Sequence, residues 1–136
     1  MKIEWVSYFF FGLAAVIHIL FFVIESYFFQ KQNGFKIFKV KQEDHEVVKI
    51  WAFNMGFYNL FLALGMILGL YFVNQLEIRI AGILVSFFGF CMLTAGAVLF
   101  LTQPKLHRGA LIQLMPPLLG FIFLAFHIIE KISLKS

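Results

Sequence analysis

The residues best suited to proton chemistry in this chain are His18 and Glu25. Seven residues apart, they fall within about 20° of each other on a helix, so an imidazole and a carboxyl share one face. That pairing suits general acid/base work. A second set of polar side chains could orient a ligand or stabilise charge: Asn54, Tyr58 and Asn59 in the middle of the chain, and Gln113 near its end. The sequence holds no nucleophile motif, phosphate loop or HExxH pair. Zinc normally takes a third protein ligand beyond a His and a carboxylate, so no metal and no cofactor is expected.

These polar residues sit in long apolar runs. The 136 residues include eleven Lys or Arg and seven Asp or Glu, so 13% are charged and 62% are apolar. A soluble domain usually carries about a quarter charged residues. Disorder, a basic nucleic-acid-binding domain and an ordinary soluble fold are thereby excluded, and no nucleic-acid partner is expected. All the charges but Glu25 lie between or outside four runs, at 5–29, 50–73, 80–102 and 110–129. Each run reaches the ~20 residues that cross a bilayer core as a helix. The backbone must satisfy its own hydrogen bonds in lipid, so the expected fold is all-α. It is a polytopic membrane protein, an up-down bundle of four transmembrane helices forming one domain. The helices are expected at about 5–29, 44–73, 80–102 and 110–132, with a basic loop at 30–43. Acids at Glu43, Asp44 and Glu46 place the second helix start near 44, where they favour its dipole. Short connections at 74–79 and 103–109 make neighbours antiparallel.

The first run is too long for a signal-peptide core, and bulky residues follow it, so it is read as retained. Lysines and arginines orient the bundle. Placing 30–49 and 103–109 inside puts seven of them there against four outside, so both termini are expected outside the membrane. With that orientation, the depth of each polar residue follows from counting ~1.5 Å per residue from the inner end of its helix. Glu25, Asn54 and Gln113 then lie ~5–6 Å in, and His18, Tyr58, Asn59 and Thr94 ~12–17 Å in. They gather in the inner half of the bundle, as a shared polar pocket would. Pro116 and Pro117 should kink the fourth helix and open space beside Gln113. His127 falls near the opposite surface.

Glycines mark close helix approaches. Gly82, Gly89 and Gly96 repeat every seven residues on one stripe, and Gly65 and Gly69 form a GxxxG pair. Either set could serve internal packing or a homodimer.

The segments Val16-Ile17-His18-Ile19-Leu20, Glu25-Ser26-Tyr27-Phe28 and Asn54-Met55-Gly56-Phe57-Tyr58-Asn59-Leu60-Phe61-Leu62-Ala63-Leu64-Gly65 resemble the DUF1304 family of small bacterial integral membrane proteins. The resemblance covers nearly the whole chain. It implies four helices, a His and a Glu on the first, an N-Q-G-x-Y-N-x-F-L-A-x-G block on the second, and a Gln followed by Pro on the fourth. Met55 stands where that block has Gln, and Pro117 is a second proline. The family name denotes unknown function, so the resemblance implies a site and a bacterial inner membrane location but no activity.

The leading expectation is a membrane-embedded pocket that binds or acts on a small lipid-soluble or amphipathic molecule. His18 and Glu25 are its candidate catalytic pair, and Asn54, Tyr58, Asn59 and Gln113 its further ligand contacts. Two other readings stay open. One is a proton-coupled small transporter working as a dimer, with Glu25 exchanging protons. The other is a structural or accessory subunit whose polar residues hold the helices together. Whether the chain is an enzyme stays undecided at this level.

Overall fold

The computed structural model describes residues 3–29, 31, 33–75 and 77–134, with side chains undescribed at 33–35. Helix α1 spans Ile3–Val23 and runs on into a π-helical turn, Ile24–Phe28. A short helix α2 follows at Asn33–Phe38. Three long helices complete the chain: α3 at His45–Asn74, α4 at Ile78–Thr102 and α5 at His107–Ser133. Single 3-10 turns at Gln42–Asp44 and Pro104–Leu106 lead into α3 and α5. Four of these segments are long and apolar enough to cross a membrane.

Helix α1 packs on α3 and α5, and α4 packs on the same two, so α1 and α4 face each other across the diagonal. This is the up-down bundle expected from the short connections. Its core is built on Phe11, Ala14, Ala15, Ala63, Met66, Val85 and Met92. Gly89 on α4 and Gly120 on α5 let those backbones close in on the Phe11 ring, which meets Phe121 edge to face at 5.1 Å. The outer faces are lined with exposed Phe, Leu and Ile on every long helix, as lipid contact requires.

The glycines divide by use. Gly96 faces the backbone of Leu114, Gly89 faces the rings of Phe11 and Phe121, Gly65 faces Phe88, and Gly69 faces Leu84 and Val85. All four are filled by neighbours from the same chain. Gly82 alone of the stripe is open, with nothing within 4 Å of where a Cβ would stand.

Two local features were not expected from the sequence, the π-helical turn at Ile24–Phe28 and a short helix in the basic loop. Within the basic loop, 33–38 is helical, with Phe38 tilted against the buried Phe29 ring at 5.4 Å. Lys39 ends this helix in the left-handed region, at φ 53°. Helix α5 runs through Pro116 and Pro117, both buried, so the two prolines lie inside the fourth long helix as the sequence places them.

Candidate functional site

The polar residues resolve into two separate pairs on different helix faces. In the first pair, His18 is fully buried and its Nδ1 lies 2.8 Å from the Ala14 carbonyl. A carbonyl can only accept, so the ring proton belongs on Nδ1 and Nε2 is left as an acceptor. Gln113 Nε2 lies 3.3 Å from that Nε2 and donates to it. Gln113 is itself only 8% exposed. Every polar atom of the imidazole is thus used, and the pair ties α1 to α5 across the bundle interior. Ser7 adds a second tie on the same stripe, donating to the Gly120 carbonyl at 2.9 Å.

The second pair lies closer to the end of α1. Asn59, buried on α3, donates through Nδ2 to Glu25 Oε2 at 2.8 Å. Glu25 is half-buried. Its other oxygen, Oε1, has no partner among the described residues. No cation forms an ion pair with it there, and Lys31 is exposed and apart. Beside it Ser26 is buried and donates to the Phe53 carbonyl at 3.3 Å, fixing α1 against α3. Gly56 permits this approach, because a Cβ there would collide with the Ser26 hydroxyl and lie 3.2 Å from Glu25 Cβ.

Glu25 also stands on the π-turn. The amide of Phe29 donates to the Ile24 carbonyl at 2.7 Å, an i to i+5 bond. Such turns widen the helix locally and recur at functional sites. The α-helical phase that would set Glu25 on the stripe of His18 stops at Val23. His18 accordingly meets α5, and Glu25 meets α3.

Asn54 and Tyr58 are not joined to either pair. Asn54 is exposed, and its amide bonds the Ile50 carbonyl of its own helix at 3.0 Å. Tyr58 is 61% exposed on the outer face. Glu25, Asn54 and Gln113 therefore do not bound one space. The depth count misled here because α5 is preceded by a 3-10 turn from Pro104, which puts Gln113 level with His18 rather than with Glu25. Thr94 bonds carbonyls of its own helix, at Phe90 and Cys91. At the far end His127 Nε2 lies 3.2 Å from Glu4 Oε2. That contact joins α1 to α5 at the end of the bundle where α1 begins. Among the described residues no three His, Cys, Asp or Glu side chains gather as a metal site.

Ser7 and Ser26 were missed at the sequence level. Ser7 lies eleven residues before His18, three helical turns away on the same stripe, so its inward face was legible. Ser26 had no such signal.

No curated protein and no solved structure matches the chain. A family profile described as "Protein of unknown function (DUF1304)" matches residues 12–125, which takes in both polar pairs, the whole of α3 and α4 and most of α5, with the second half of α1. The chain belongs to the DUF1304 family.

Proposed function

We propose that Glu25, held by Asn59, is the binding group for a small amphipathic molecule that carries a cation or a hydrogen-bond donor on an apolar body. The observation that carries this reading is the Oε1 atom: a half-buried carboxylate oxygen in an apolar bundle, with no partner among the described residues. An ionisable group at such a place is costly unless it is used. Asn59 fixes the carboxylate through one oxygen and leaves the other presented. The rings of Phe22, Phe53 and Phe57, stacked edge to face or tilted within 5.1–5.2 Å of each other, stand on the neighbouring turns and suit an apolar body. His18 and Gln113 have a structural task in this reading, since their polar atoms are consumed by each other and by Ala14.

The membrane in question is the bacterial cytoplasmic membrane, with the termini outside and Glu25 toward the inner leaflet. The support is the seven-to-four distribution of Lys and Arg between the two ends.

The test is to purify the wild type, Glu25→Ala and Asn59→Ala in mild detergent and to compare co-purified small molecules by mass spectrometry. A charge-assisted hydrogen bond contributes ~1.5–3 kcal/mol, so a genuine ligand should fall at least about tenfold in Glu25→Ala. Identical small-molecule profiles in all three preparations would refute the reading. Proton release on adding an organic amine, lost in Glu25→Gln, would redirect it to a proton-coupled transporter.

A further inference from the structure

The end of the bundle that carries Glu25 has a second feature of its own. Helix α3 is longer than the helices it packs on: with its 3-10 lead it spans 33 residues, Gln42–Asn74, against 26 for Ile3–Phe28. Gly56 abuts Ser26, and Gly12 abuts Leu70, so the antiparallel register of α1 and α3 is fixed. The eleven residues of α3 before Gly56 therefore run ~16 Å beyond the level of Ser26, past the end of α1. This extension presents Val47, Ile50 and Trp51 outward, each more than 60% exposed. At the same end α2, which packs on the π-turn, presents Ile37 and Lys36, both exposed. Apolar side chains at this height need cover, and Trp is favoured where headgroups meet acyl chains.

Charge indicates which headgroups. Seven Lys or Arg lie at this end: Lys31, Lys36, Lys39, Lys41, Lys49, Lys105 and Arg108. Lys41 pairs with Glu43 and Lys49 with Glu46. Lys31, Lys36, Lys39, Lys105 and Arg108 are exposed and have no ion-pair partner among the described residues. At the opposite end Glu4, Glu77 and Glu130 nearly balance Lys2, Arg79, Lys131 and Lys135. Unpaired cations at the same end of the bundle as exposed Trp and Ile match the chemistry of an anionic leaflet surface, a phosphate plane over hydrocarbon.

We infer that α2, the first turns of α3 and the α4–α5 connection form a docking surface for anionic phospholipid headgroups. The cations hold the phosphates, and Val47, Ile50 and Trp51 seat against the first carbons of the acyl chains. This surface is independent of any ligand at Glu25.

Native mass spectrometry of the full chain in neutral detergent tests it, with equimolar phosphatidylglycerol and phosphatidylcholine of the same acyl chains. The wild type should retain the anionic lipid preferentially, and the preference should shrink as salt is raised. Lys36→Gln, Lys39→Gln and Lys105→Gln combined should reduce it by about tenfold or more, while Arg79→Gln with Lys131→Gln should leave it unchanged. Equal retention of the two lipids by the wild type, or an equal loss from the opposite-end pair, overturns the inference. A second readout uses the native residues. In a Trp5→Phe background, Trp51 emission in phosphatidylglycerol vesicles should be quenched by lipids brominated near the headgroup and shielded from aqueous acrylamide. Full acrylamide access to Trp51 overturns it as well.

Discussion

The stripe Gly82, Gly89 and Gly96 offers a graded test, because the three positions have one spacing and three different surroundings. An alanine at Gly96 would place its Cβ 2.9 Å from both Cα and N of Leu114. Carbon atoms prefer ~3.5–4.0 Å, and the obstacle is backbone, so α4 and α5 must separate by about half an ångström or more. A gap of that size forfeits a quarter to a half of each contact along the seam, and overpacking of this kind costs ~1–3 kcal/mol. At Gly89 the Cβ meets the Phe11 ring at 2.8 Å and the Phe121 ring at 3.1 Å. Rings give more easily than backbone, so the cost is smaller. At Gly82 the space is open. There the change keeps only the helix-propensity gain of alanine over glycine, ~1 kcal/mol. The same gain is present at all three sites and cancels in the comparison. Unfolding of the three single variants in mixed micelles, followed by circular dichroism, should rank stability as Gly82→Ala, then Gly89→Ala, then Gly96→Ala. The outer two should differ by ~1–3 kcal/mol. A Gly82→Ala variant as destabilised as Gly96→Ala would refute the reasoning and would mean that Gly82 lies under a second copy of the chain.

Other expectations follow from the hydrogen bonds. Gln113→Leu removes the donor to His18 Nε2 and should lower stability by ~1–3 kcal/mol, since a fully buried acceptor is orphaned. Nitrogen NMR of the wild type should show a neutral His18 with its proton on Nδ1; a proton on Nε2 would contradict the assigned network. Ser7→Ala should cost ~0.6 kcal/mol and at most about 1.7, the range of interhelical hydrogen bonds in membranes, read from the same unfolding curves. Gly56→Ala should displace the Ser26 hydroxyl and loosen Glu25 from Asn59, so a ligand retained through Glu25 should be lost with Gly56→Ala as well as with Glu25→Ala.

The positions of the helices were legible because charges mark their ends. The acids at 43, 44 and 46 placed the start of the second span at 44, and α3 begins at His45. The burial of His18, Asn59 and Gln113 followed from the cost of polar groups in lipid. Their partners did not. A helix that is apolar all round has no polar side to fix its rotation, so Asn59 and Tyr58, adjacent in sequence, could not be told apart as inward and outward. Asn54 was misjudged for the same reason, and because its amide could be satisfied by a carbonyl of its own helix. The π-turn left no mark in Ile24-Glu25-Ser26-Tyr27-Phe28, since a change of hydrogen-bond register needs no special residue type.

The π-turn makes the first span a ruler with two independent scales. Before it, Ser7, Phe11, Ala14 and His18 index the helix against α5 and the core. After it, Glu25, Ser26 and Phe29 index the chain against α3 and α2. One residue of slack separates the two scales. Deleting a single residue of this turn takes up that slack: the Phe29 amide and the carbonyl it bonds become an ordinary i to i+4 pair, and the chain on either side keeps its register. What is lost is the widened turn itself, on which Glu25 and Ser26 stand. The segment is therefore a place where a one-codon deletion spares the fold of the bundle and alters its acidic end.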